Sequence, residues 1–216
     1  APPNHRSRLV ACELRAFALW VPQEDLFAAT PPAAALSLLL STMVTRRSRR
    51  GSHYKVAFLA VRRAFFRAAA TEEVVVELPP ELQVPGEDCV GLLCQSRYGT
   101  RSAAKNWQLQ LGRGLKALGF TQARSPPCVF HHSELEARLV VHGDDLWLLA
   151  DEKSLGVLIP RLDATCELKV DGIRGPDPQD AAVVRSLNKV VRYVAGLGSK
   201  SRPTLGMLGS SPRSLG

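Results

Sequence analysis

Cysteine is scarce in this chain of 216 residues, and the little there is builds no framework. Cys12, Cys89, Cys94, Cys128 and Cys166 are odd in number and irregularly spaced, and four residues rather than two separate the closest pair. Neither a disulfide scaffold nor a structural zinc site fits that pattern, so an intracellular, reducing setting is expected. Long apolar runs are lacking too. Ala33 to Leu40 falls well short of the roughly 20 residues that span a bilayer, and no charged-then-apolar leader precedes the body, so no membrane partner is expected. At 45% hydrophobic residues, the chain has material for one substantial core or two apposed lobes.

Negative charge is absent from two long stretches. Leu26 to Thr71 holds no acid but carries Arg46, Arg47, Arg49, Arg50, Lys55, Arg62, Arg63 and Arg67. Cys89 to Ser133 is likewise acid-free, with Arg97, Arg101, Lys105, Arg113, Lys116 and Arg124. The formal net charge is +8, and this segregation points to a surface that meets polyanions, although a merely solvated basic face has the same composition.

What is present reads as interleaved helices and strands, an α+β pattern. Arg8 to Cys12 reads as extended. A helix is expected from Ala33 to about Thr42, capped by Thr30 with prolines in its first turn. Arg46 to Gly51 reads as an exposed loop that could touch nucleic acid, act as a localisation signal, or do neither. Tyr54 to Ala60 is strand-like and leads into an expected helix over Val61 to Ala68. Val74 to Leu78 and Cys89 to Cys94 are short strands. Ser102 opens an amphipathic helix with Ala104, Trp107, Leu111, Leu115 and Leu118 on one face, closed by Gly119. Cys128 to His131 is a further strand, and Val184, Leu187, Val190, Val191 and Val194 recur at helical spacing. Residues 1–195 are expected to fold, and the Gly/Ser/Pro-rich stretch 196–216 to be a disordered tail.

The segment that carries chemistry is Leu139-Val140-Val141-His142-Gly143-Asp144-Asp145-Leu146-Trp147-Leu148-Leu149. Two apolar runs flank a glycine turn, which predicts a β-hairpin with Asp144 and Asp145 at its tip. Adjacent carboxylates repel each other, and a hard divalent cation relieves that repulsion. A solvated turn would look the same in isolation.

Taken in order, several motifs resemble the reverse transcriptase domain of copia-type retrotransposons over roughly Arg8 to Tyr193. They are Arg8-Leu9-Val10-Ala11; Asp25-Leu26-Phe27-Ala28-Ala29-Thr30-Pro31-Pro32; Val61-Arg62-Arg63-Ala64-Phe65-Phe66; Glu77-Leu78-Pro79-Pro80-Glu81; Arg97-Tyr98-Gly99-Thr100-Arg101-Ser102-Ala103-Ala104-Lys105-Asn106-Trp107; Leu118-Gly119-Phe120; Ser125-Pro126-Pro127-Cys128-Val129-Phe130; and the Asp144-Asp145 hairpin. The resemblance implies a right-hand polymerase with fingers and a palm of antiparallel sheet and packed helices, its thumb missing or incomplete. It further implies an RNA template, a DNA primer and deoxynucleoside triphosphates as partners, and Mg²⁺ or Mn²⁺ as cofactor. Ribonuclease H, integrase and protease segments are not recognisable, so the chain reads as one module of a polyprotein or as a degraded copy.

In that family, three aspartates hold two ions that stabilise the attacking and leaving oxygens of nucleotidyl transfer. Two match Asp144 and Asp145, as catalytic and metal-binding residues, while the third position falls on Ala60. Alanine cannot ligate a metal, so impaired catalysis is expected. His142 stands where the family has tyrosine, and a packing or turn role is expected for it. Phe65 matches an aromatic floor under the nucleotide sugar, Tyr98 and Gly99 the part supporting template and nucleotide, and Arg62, Arg63 and Lys105 phosphate contacts. The alternative from another class is a non-catalytic remnant that at most binds nucleic acid through its basic surface.

Overall fold

A computed structural model describes residues 10, 27–86, 89–181, 183–187, 189–194 and 204–208. Along the chain, α1 (Ala33–Thr45) and β1 (Tyr54–Val61) lead to β2 (Val75–Glu77), β3 (Val90–Leu92) and α2 (Ala103–Ala117). Next come β4 (Thr121–Gln122), β5 (Val129–His132), β6 (Ala137–His142), β7 (Asp145–Asp151), α3 (Glu152–Cys166), β8 (Leu168–Arg174), β9 (Val183–Ser186), β10 (Lys189–Val194) and β11 (Thr204–Leu208). The architecture is α+β, as expected. It divides into two compact units, Ala1–Ala28 with Arg63–Leu111 and Ala29–Arg62 with Gly112–Gly216.

The second unit is built on an antiparallel sheet in the order β4-β5-β6-β7-β1-β8. Its strands β1, β6, β7 and β8 follow in the chain with α2 and α3 between them, in the spatial order 6-7-1-8, which is a split β-α-β arrangement. That topology brings the end of β1 beside the tip of the β6-β7 hairpin. β1 is buried on both faces except at Ala60, consistent with its unbroken apolar run.

Helix α1 presents Leu36, Leu39, Leu40 and Met43 to Tyr54, Val56, Phe58, Trp147 and Leu149, and full burial of each such side chain is worth about 2 kcal/mol. Phe58 and Trp147 meet edge to face at 4.9 Å, and Trp147 Nε1 donates to Ser186 Oγ at 2.8 Å. Pro32, not Thr30, occupies the helix N-cap, with no side-chain bond, so the proline's fixed φ starts the helix instead of a hydroxyl. Helix α3 packs on β7 and β1 through Leu155, Leu158, Leu162 and Cys166. Its cap is Asp151, whose carboxylate accepts the Ser154 N–H at 2.8 Å.

Helix α2 buries Trp107, Leu111 and Leu115 as its periodicity predicts. Phe120 N–H returns to the Leu115 carbonyl at 3.0 Å while Gly119 adopts φ 92°. A Cβ at 119 would come within 2.9 Å of His132 Nε2, so Gly119→Ala is expected to lower the unfolding free energy by about 1–2 kcal/mol, measured by urea titration. An unchanged midpoint would show that the turn relaxes freely.

Two helix expectations are corrected. Ala181 to Val194 forms β9 and β10 instead, because its β-branched valines pair across a turn at Leu187, where φ is 52°. Val61 to Ala68 forms only the 3₁₀ turn Ala64–Arg67, since Arg63 sits at φ 53° and breaks helical continuity. Within 196–216, Thr204–Leu208 pairs with β10, and the remaining residues lie outside the described ones, as do Arg8, Leu9, Ala11 and Cys12 of the expected extended segment and Asp25-Leu26 of the second motif.

In the first unit, β2 and β3 form a two-stranded ribbon. Asn106 is buried, accepts from Thr71 Oγ1 at 3.0 Å and donates to Ser96 Oγ at 3.1 Å, which ties α2 to the chain on either side of the ribbon.

Candidate carboxylate site

Asp145 stands directly across from Ala60 in the β7-β1 pairing, and Lys169 stands directly across from Ala60 on its other side. His142 faces Asp145 in turn. Opposed residues of antiparallel strands project to one face, so His142, Asp145, Ala60 and Lys169 make a single row across β6, β7, β1 and β8. Val61 N–H donates to the Asp144 carbonyl at 2.8 Å, pinning the hairpin tip to the end of β1. Gly143 makes the turn at φ 62°, with open space where a Cβ would stand. Asp144 is exposed, and Asp145, Ala60 and His142 are half-buried.

Burial pushes the Asp145 carboxyl above its usual range; the negative charges of Asp144 and Asp171 add to this, and His142 offsets part of it. Asp171, whose charge reaches Asp145, is tied to Lys169 at 2.5 Å, so that carboxylate already holds a cation. Sequence reasoning missed Lys169, because only strand register reveals that it stands across from residue 60, and Asp171, whose charge reaches Asp145.

Among the described residues, the acids whose ligand atoms lie within 4.8 Å of one another, close enough to share a metal, are instead Glu152, Asp177 and Asp180. The Lys55 ammonium fills that cluster. Lys55 Nζ contacts Asp177 and Asp180, each at 2.8 Å, and Glu152 as well. Burial alone would lower the Lys55 pKa, but the three carboxylates hold it well above the ordinary lysine value. With a fixed cation at its centre, this cluster is an ion-pair network between β1, α3 and the loop after β8. Among the described residues, Asp144 and Asp145 gather no third acid at that spacing, and the third position is Ala60.

The other site residues divide between the units. Arg62, in the second, is exposed and pairs with Glu167 at 3.7 Å, and its N–H donates to the Glu167 carbonyl at 3.0 Å. In the first, Phe65 meets Tyr98 edge to face at 4.6 Å, Phe66 meets Tyr98 at 5.9 Å, and the Arg97 guanidinium lies 5.1 Å from the Phe66 ring centre. Gly99 turns the chain beside them at φ 97°, and Arg63 is exposed. No helix of the described residues is long and apolar enough to cross a membrane.

No protein-family model matches the chain, and no curated protein matches it.

Proposed function

We propose that this chain is the fingers and palm portion of a copia-type reverse transcriptase whose cation site has lost one ligand. The observation that carries the reading is the juxtaposition of Ala60 with Asp145: a strand and a carboxylate hairpin that the ordered motifs require to share a pocket are adjacent in the sheet. Support also comes from the Phe65-Tyr98 pair, which restrains the aromatic ring assigned to the nucleotide sugar. Acid-free basic stretches suit an RNA template, a DNA primer and deoxynucleoside triphosphates.

Two Mg²⁺ or Mn²⁺ ions, when bound, would neutralise charge on the reacting phosphate and its flanking oxygens. The residues present do not fit that pair. Asp144 and Asp145 suit one weakly held ion, Ala60 offers no donor atom, and Lys169 sets a positive charge on the same row. A second reading, a non-catalytic remnant that binds nucleic acid, is favoured by that same alanine and lysine.

Primer extension on an RNA template tests the assignment. The Ala60→Asp chain is expected to extend a DNA primer, and Ala60→Asp with Asp145→Asn is not. If the Ala60→Asp chain neither extends the primer nor retains primer-template in a gel shift at low salt, the polymerase reading fails.

A further inference from the structure

We propose that Lys169, which rests on Asp171 in the structure, is the protein's own competitor for the carboxylate hairpin, able to swing to Asp145 over the methyl group of Ala60 and displace divalent ions there. The proposal rests on reading Asp144 and Asp145 as a cation site. Asp145, Ala60 and Lys169 stand in one row on adjacent strands, which puts the Cβ atoms of the outer two roughly 10 Å apart. A four-methylene lysine stem and a carboxylate extended toward each other close such a span to hydrogen-bond length. An acid at position 60 would stand in the way and hold the ammonium itself, whereas alanine leaves the path clear.

Lys169 is free to make that move. Its side chain is 63% exposed and bound to Asp171, a neighbour two residues along its own strand, in a contact that solvent weakens. The row also explains how two adjacent acids are tolerated at a half-buried tip when Ala60 supplies no ligand for an ion: a protein cation stands within reach. Loss of the acid at 60 and the presence of Lys169 therefore act in the same direction, against divalent binding.

Mn²⁺ titration of the full chain, followed by the paramagnetic resonance signal of the free ion, decides the matter. Lys169→Met, which keeps the stem, is expected to bind Mn²⁺ about three- to tenfold more tightly than the unmodified chain. Lys169→Gln is expected to do the same. Lys153→Met removes an equal charge from exposed α3, near the end of β7 that lies roughly 20 Å from Asp145, and is expected to change nothing. Asp145→Asn is expected to weaken binding. If Asp145→Asn weakens binding but Lys169→Met and Lys169→Gln match Lys153→Met, the lysine-competition proposal is overturned and the cation site stands. If Asp145→Asn has no effect, or no form binds Mn²⁺, the cation site itself is wrong and the proposal falls with it.

Discussion

Primer extension by the Ala60→Asp chain is expected to exceed that of the unmodified chain by about 100-fold, with Asp144→Asn abolishing the gain. The magnitude follows from what a missing ligand does to a two-ion site. Without a carboxylate on β1, an ion on the hairpin is held from one side only, and displacing the reacting oxygens by about 1 Å costs a factor of that order. Position 60 is well suited to the repair. Its backbone is ordinary strand paired on both sides, its side chain is half-exposed, and Asp145 lies directly opposite, so an introduced carboxylate needs no backbone movement. In metal-free buffer the added acid should destabilise the fold slightly, by repulsion from Asp145, and Mn²⁺ should then raise the melting temperature by mass action. A thermal shift with Mn²⁺ but no gain in extension would show that the pocket is restored and that catalysis is lost for another reason. No shift and no gain would show that residue 60 does not face the ions at all.

Much of this site was legible because its parts are local. A glycine and an acid pair between two long apolar runs is a short-range hairpin signal, and the hairpin tip carries both acids without help from the rest of the chain. Ala60 was legible as the end of an apolar strand. Other features depend on distant partners and were not. Val184, Leu187, Val190 and Val194 have helical spacing, yet a strand-strand-strand sheet over residues 183–208 won, because valines lose rotamer freedom in a helix and pair well across a ladder. Helix α3 contains Gly156 and Pro160, which interrupt its pattern. It forms regardless, because Asp151 caps it and Leu155, Leu158 and Leu162 are buried against the sheet. One signal was visible but unread: Lys55 lies inside the strand Tyr54-Lys55-Val56-Ala57-Phe58, and a lysine in such a run needs buried acids somewhere. The buried one is Asp180, joined by the more exposed Asp177, both more than a hundred residues away.

That lysine provides the largest expected effect on stability. Lys55→Met is expected to lower the unfolding free energy by about 3–5 kcal/mol near neutral pH. The side chain of Lys55 is only 3% exposed and that of Asp180 5%, so methionine would leave a buried carboxylate without its cation. Glu152 is 71% exposed, and Glu152→Gln should cost under about 1 kcal/mol. Coupling is the sharper check. Asp180 Oδ2 also accepts the Asp177 N–H at 2.9 Å, and Asp180→Asn can preserve that bond, so adding it to Lys55→Met should recover stability. The pH dependence follows from the directions of the shifts. Lys55 is raised, so its contribution is complete below the unfolded lysine value of about 10.4 and is lost as pH climbs through the higher folded value. Asp177 is lowered by its bond to Lys55, so its contribution is present above about pH 3.9 and disappears as pH falls through the folded value. Denaturant titrations of the two chains should therefore differ most between about pH 5 and pH 10, and converge in acid, where protonation removes the repulsion that methionine exposes. A variant as stable as the unmodified chain at neutral pH would mean that the ammonium is solvated, and that the three acids around it are held by something other than its charge.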